Sequence, residues 1–405
     1  HFDSRRMLVS ASIDNEHSDT HWLRSDVDQF IFELAVASGV IAYQKCSYTF
    51  VAAVAPNHWR ICGTACHQEV DIEAEFIIDA TGSANALLTH LSVPDITHEL
   101  KTNSRSLFAH FANTQTCDQM LRQAGIDVKP FPYLCDDAAV HQVVPDGWMW
   151  QLRYDDNSLS AGFMIDQRPS RSQRDAALES SAGPDEWKRR IGRVPFLTEQ
   201  FRHAHIVRPE SGLQSTKRIQ RLAACGAGDN WAALTNSVGF IDPLHSTGIA
   251  HTLFAVSRLA DILMSRDSAA ERQSKLFDYS QTLVEEIRCV DELVEGCYQA
   301  IPSFRLWCLW GMLYFAAATS MEQQRDGSTR VSFLRANDCL FRSMLTEARH
   351  RLQETTAFTG DTQARRIESF ACWLKSAIAP WNSVGLFDDT CNGLYENTAA
   401  PANAW

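Results

Sequence analysis

Between Gly239 and His251 the sequence GFIDPLHSTGIAH sets a proline, a Ser-Thr-Gly turn and two histidines between two apolar segments. Pro243 fixes one φ angle and Gly248 lets a ligand approach the backbone closely. The helix expected over Ile249 to Met264 turns its positive end toward Ser246, Thr247 and Gly248. A helix start gathers unpaired N–H groups and suits an anion: a halide, a cofactor phosphate, or the negative edge of a reduced flavin. His245 titrates near neutral pH and reads equally as a general base or as a neutral hydrogen-bond partner. His251, about one turn into the helix, reads as a satisfied core residue.

Three other clusters carry chemical residue types. FIIDATGS is a short apolar strand entering an Ala-Thr-Gly turn, with a helical pattern after it. Proteins of the α/β class use this arrangement to bring backbone N–H groups to a cofactor, and an ordinary crossover has the same pattern. Trp148 and Trp150 in WMWQLR fall on one face of a strand, where core packing explains them as readily as ligand contact. Cys62, Cys66 and His67 in ICGTACHQEV lack a second ligand pair at zinc spacing, so they read as buried thiols on a strand and turn, with no metal.

The elements that must position these residues follow from periodicity. THWLRSDVDQFIFELAVASGV reads as a helix capped by Ser25, with Val27, Phe30, Ile31 and Leu34 on one face and Gly39 at its end. Strands are expected over Ile41 to Ala55, His58 to Cys62 and Glu75 to Asp79. From Lys101 to about Arg168 the alternation is that of an antiparallel sheet with a hairpin near Asp155-Asp156-Asn157, forming a lobe inserted into the first. A basic helix around Glu186 to Ile191 follows, and RLAACGAGDNWAALTNSVGF returns to strand and turn, with Gly228-Asp229 as the turn entering a strand. The remainder is mostly helical, over Leu276 to Ala300, Phe304 to Met321, Asn337 to Gln353 and Gln363 to Ile378, with a turn-rich tail. The expected fold class is α/β with two lobes, one at 1–100 and 213–265 and the other an antiparallel sheet at 101–212, with a helical region at 266–405.

Composition excludes several classes. The chain of 405 residues is 45% hydrophobic and 21% charged, ordinary for a globular protein large enough for a sizeable core. A net charge of −12, from 37 basic and 49 acidic residues without a Lys/Arg run, argues against nucleic acid. The longest apolar run, Leu306 to Thr319, falls short of the roughly 18 to 20 residues of a spanning helix and reads as a buried helix. The 12 cysteines form no small-domain disulfide framework, which suits a reducing cytoplasm.

In motif order as well as content, the RSDVDQFIFELAVASGV helix, DATG, WMW and FIDPLHSTGI resemble the flavin-dependent halogenases and their relatives among the FAD-dependent hydroxylases. The resemblance runs from about Trp22 to Met264, and by it the first lobe is a Rossmann-like FAD/NAD(P)-binding lobe and the sheet a substrate sheet. It implies an FAD-dependent oxidoreductase or monooxygenase in which oxygen passes through a flavin hydroperoxide to a halide or to an electron-rich small molecule, with a separate flavin reductase as partner. It places Arg24, Asp79, Thr81, Gly82, Asn236, Pro243, Thr247, Gly248 and Ile249 beside the cofactor, Trp148, Trp150 and Phe240 on the substrate side, and His245 and Ser246 at the chemistry.

The departures from that family are equally specific. No Gly-x-Gly-x-x-Gly loop occurs; judged against a βαβ unit, roughly 80 to 100 preceding residues are expected, carrying that loop and the lysine with which halogenases present hypohalous acid. Residue 1 is His, and HFDSRRMLVSAS has no signal-peptide pattern, as expected of a fragment. Thr235 and Asn236 stand where many hydroxylases have Gly-Asp, His245 stands where tryptophan halogenases have a glutamate, and Arg153 replaces the proline of the Trp-x-Trp-x-Ile-Pro signature. These leave two alternatives open: a non-catalytic relative that keeps the fold, and an FAD-dependent reductase of an isoprenoid-like substrate.

Overall fold

A computed structural model of the chain describes residues 21–55, 58–125, 127, 129, 134–168, 183–323 and 331–387. The expectations for HFDSRRMLVSAS and for the end of the C-terminal tail lie outside them.

Helix α1, Arg24–Ala37, ends where Gly39 adopts φ 98°, a conformation that favours glycine. Its cap position is Leu23, with no side-chain hydrogen bond, so Ser25 lies inside the helix and is not its cap. The expected apolar stripe is present, but α1 buries none of its residues, and Phe30, Ile31 and Leu34 are each more than half exposed. Periodicity predicts a face; it does not supply the surface that covers it. Strands β1 (Cys46–Ala55), β2 (His58–Ala65) and β3 (Gln68–Ala74) form an antiparallel meander, and the first begins five residues later than expected. Cys62 is half-buried on β2 and Cys66 is exposed in the following turn, which corrects the expectation of buried thiols. Among the described residues no His/Cys/Asp/Glu group is placed to hold a metal.

Then come β4 (Ile77–Asp79), α2 (Ala86–His90), β5 (Ser104–Ala112), α3 (Cys117–Gln123), β6 (Val140–Val144), β7 (Gly147–Arg153) and β8 (Leu159–Asp166). Asn157, at φ 60°, closes the hairpin between β7 and β8 where the sequence predicts it. Helices α4 (Pro184–Gly192) and α5 (Pro195–Gln200) precede short strands β9 (His205–Arg208), β10 (Gln214–Ser215), β11 (Arg221–Leu222), β12 (Ala227–Gly228) and β13 (Trp231–Ala233). The chain continues through α6 (Thr235–Val238), β14 (Gly239–Phe240), α7 (Thr247–Met264), α8 (Ala269–Ala300), α9 (Phe304–Gln323), α10 (Cys339–Thr356) and α11 (Gly360–Ala377).

These elements make two compact units. The first, Trp22–Leu100 with Gln220–Cys289, holds the β12–β13–β4 sheet, whose β4–β13 pair is the one parallel pairing among the described strands. Trp59 Nε1 donates to the Asn230 carbonyl at 3.0 Å, Tyr279 Oη to that of Ala233 at 2.9 Å, and the Gly226 amide to Ser280 Oγ at 2.8 Å. Those bonds fix the meander and α8 on the small sheet.

The second unit holds His21, the described residues of Lys101–Ile219 and those from Val290 onward, so the helices after that point belong with the inserted sheet. Strand order is β10–β5–β8–β7–β6, with β9 also on β5. One sheet face buries Leu107, Phe111, Met149, Phe163 and Ile165 against Trp187, Leu197 and Phe201. Glu186 and Arg190, both buried on α4, bond each other at 2.9 Å and fasten that helix through Arg105 and Asp146. Helix α9 is buried as the sequence predicts; its Trp310 lies over Gly296, where a Cβ would come within 2.0 Å of the ring. No described helix is long and apolar enough to cross a membrane.

Candidate cofactor and substrate site

The residues from Phe240 to Ile249 form a compact loop in the first unit. Gln220 Nε2 donates to the Ile241 carbonyl at 2.7 Å, and buried Asp242 accepts the Leu244 amide at 3.1 Å, so the loop is braced before it reaches the turn. His245 and Ser246 then both adopt left-handed φ, 67° and 53°, a conformation costing a residue with a side chain about 1–2 kcal/mol. The Ser246 amide closes onto the Pro243 carbonyl at 2.9 Å, and α7 begins at once.

That helix start is open. Among the described residues no side chain caps it, and a Cβ built on Gly248 would meet no atom within 4 Å. Thr247 is buried, while Ser246 and Ile249 are exposed. Among the described residues no side chain is seen to accept the first N–H groups of this 18-residue helix, and the macrodipole adds its positive end. This is the donor chemistry a flavin edge or a halide requires, so the residues fit the cofactor implied by the sequence.

The strand-end turn after β4 behaves differently. Asp79, 3% exposed, accepts the Thr81 amide (2.8 Å) and hydroxyl (2.7 Å) on Oδ1, the Ser237 hydroxyl (3.1 Å) on the same oxygen, and the Leu87 amide (2.8 Å) on Oδ2. Ser237 Oγ in turn accepts the Gly82 amide at 3.0 Å, and Thr81 Oγ1 accepts that of Ala86 at 2.9 Å. The amides of Thr81, Gly82 and Leu87 are therefore taken up inside the chain, for a plain physical reason: a buried carboxylate must collect donors. Asp79, Thr81 and Gly82 build the turn's shape.

Arg24 lies on the exposed side of α1 and is held by Asp28 in a two-point ion pair at 2.7 and 2.8 Å. It has the geometry of a surface helix pair. Asn236 is half-buried, and its carbonyl accepts Arg221 Nη2. Arg221 sits over the Phe240 ring at 5.6 Å on the β11–β14 pair, with its Nε buried and unpartnered. Burial pushes its guanidinium down from the ordinary value. Neither Arg221 nor Ser237 was legible as a site residue, because the partners of both lie far along the chain. His251 is a satisfied core residue as expected: 4% exposed, its Nε2 donates to Glu286 at 3.0 Å.

Trp148 and Trp150 belong to the second unit and share one face of β7, with ring centroids 6.2 Å apart. Trp150 donates to Ser160 Oγ at 3.3 Å; Trp148 is 1% exposed and its Nε1 has no hydrogen-bond partner. Phe108, Gly162, Trp150 and His141 align across four neighbouring strands, and Gly162 supplies the room: a Cβ there would lie 2.3 Å from the Trp150 ring. Burial pushes the His141 imidazole down to about 4, against a 3.0 Å bond from Nδ1 to the Ala139 carbonyl. Arg153, in the place of the family proline, ties down Asp136 (2.8 Å), Thr114 and the Gln115 carbonyl.

Comparison with known proteins agrees with this architecture. The family model for tryptophan halogenase matches residues 17–303. Monodechloroaminopyrrolnitrin halogenase PrnC of Pseudomonas fluorescens is 25% identical over 308 residues, 76% of this chain and 52% of the relative. Tetracycline 7-halogenase of Kitasatospora aureofaciens is 25% identical over 297 residues, 71% of this chain and 50% of that protein. The chain spans about half the length of these curated relatives. In fold it is similar to halogenase PltM, solved with FAD (TM-score 0.74, 21% identity, 90% of this chain and 74% of that one), and to the flavin-dependent brominase Bmp2 (0.55, 17%, 81% and 76%). With the motifs in order and the family match covering well over half its length, the chain belongs to the tryptophan halogenase family.

Proposed function

We propose that the protein is an FAD-dependent oxidoreductase of the halogenase class that acts on an electron-rich aromatic small molecule. The observation that carries this reading is the start of α7, uncapped by any described side chain and open in front of Gly248. Bound FAD supplies oxygen activation there, with electrons from a separate flavin reductase. The amides of Thr247, Gly248 and Ile249 hold negative charge, whether of the flavin edge or of a halide. Asp242, Pro243 and the strained His245–Ser246 pair fix the direction of those amides, and Asn236 and Phe240 border the same loop. In this reading His245 accepts a proton or a hydrogen bond, and Ser246 adds a hydroxyl. Trp150, half-buried on β7, offers aromatic surface for a planar substrate, with Trp148 buried beside it.

The test is to purify the protein, supply FAD and halide, and record the visible flavin band, then to reduce the complex and analyse an aromatic substrate for added halogen or oxygen. Product with the coloured protein supports the reading. The internally satisfied amides of the Asp79–Gly82 turn favour a second one, a fold-retaining relative without catalysis; a protein that takes up no FAD would support it.

A further inference from the structure

We infer that Glu286 is a positioning residue for the amides at the start of α7, acting through His251 and Arg258. The inference rests on the proposed role of those amides and adds the part of the chain that aims them.

Glu286, on α8, is fully buried. Its Oε2 accepts His251 Nε2 at 3.0 Å and Arg258 Nη1 at 2.9 Å, and its Oε1 accepts Arg258 Nη2 at 2.6 Å. His251 and Arg258 are seven residues apart on α7, about two turns. One carboxylate therefore grips the helix at two levels along its axis, which sets rotation as well as height. His251, the nearer anchor, lies four residues after Thr247, and its carbonyl also accepts Thr235 Oγ1 at 3.2 Å from the α6 side. Held through its side chain by α8 and through its carbonyl by α6, His251 restrains the first turn and a half of α7, which carries the leading amides.

Packing by itself does not require this chemistry. A buried ion pair is commonly no more stabilising than apolar residues of the same volume, because desolvating the charges offsets their attraction. What charge-assisted, two-point bonds supply is geometry. Arg258 also answers the Glu286 charge with a two-point ion pair, so the carboxylate is not left buried without a cation.

The experiment compares FAD dissociation constants and visible spectra of the full chain and four variants. His251→Phe and Glu286→Gln are expected to weaken FAD binding about tenfold, as for the loss of one charge-assisted hydrogen bond, and to shift the bound flavin's spectrum. His251→Gln, which can still donate to Glu286, is expected to restore both. Leu283→Ala removes a fully buried neighbour one turn away on α8 and controls for simple destabilisation; it should lower thermal stability yet keep affinity within about twofold. Wild-type affinity and spectrum in His251→Phe and Glu286→Gln would overturn the inference, as would an equal affinity loss in Leu283→Ala. Failure of the unmodified chain to take up FAD would instead overturn the proposed function, and is seen before any variant is compared.

Discussion

Two turns in the same unit begin with the same promise. Asp79–Gly82 follows a strand and Pro243–Ile249 precedes a helix, and both hold small residues and backbone amides in a ligand-binding pattern. In the first, Asp79 and Ser237 take the amides of Thr81, Gly82 and Leu87. In the second no described side chain caps α7, and the space before Gly248 is open. A motif specifies that donors exist; whether they are spent depends on residues elsewhere, here a serine 155 positions from the glycine it satisfies.

The largest break of this contrast is expected beneath the open turn. Arg258→Met leaves the Glu286 carboxylate buried without its cation and should cost about 3–5 kcal/mol in urea unfolding. Burial opposes charge on Glu286, but the bonds from His251 and Arg258 outweigh it and hold the carboxyl below its ordinary value. That contribution is complete above the unfolded value near 4.3 and is lost as pH falls through the lower folded value. Melting curves of the native protein should therefore drop on acidification below about pH 4, and the Arg258→Met variant should show less of that drop.

Next comes the spent turn. Ser237→Ala strands the Gly82 amide and removes a donor from Asp79, a loss of roughly 1–3 kcal/mol, and should speed hydrogen exchange at Gly82 while leaving Thr247 to Ile249 unchanged. The two glycines sharpen the comparison further. Gly82 has φ 61°, so Gly82→Ala should destabilise by about 1–2 kcal/mol although nothing would touch the new methyl. Gly248 stands in the helix without positive φ, and Gly248→Ala should stabilise by about 0.4–1 kcal/mol while weakening FAD binding, because its methyl occupies the space a ligand would use. A stabilised variant with undiminished FAD binding would remove Gly248 from the site.

Much of the fold was legible because it depends on neighbours in sequence. The turn at Asp155–Asn157, the helix from Thr247 and the buried Leu306–Thr319 segment follow from local periodicity and turn chemistry. Less legible was whatever needed a distant partner. The stripe on α1 was read correctly as a stripe and remains exposed, and the cysteines near Cys66 were assigned a burial they lack. Ser237, Arg221 and Glu286 carried no signal, since an isolated polar residue in an apolar context has the same pattern whether it faces water or a buried donor.

By itself the sequence determined which groups exist and the order in which the chain presents them: the proline, the Ser-Thr-Gly, the paired tryptophans and the helices behind them. Only the tertiary structure decided which amides remained available, because a hydrogen bond is satisfied by proximity in space. Glu286 lies 35 residues from His251, and Ser237 lies 158 from Asp79. Burial obliges each of these side chains to find its partners wherever the fold has brought them.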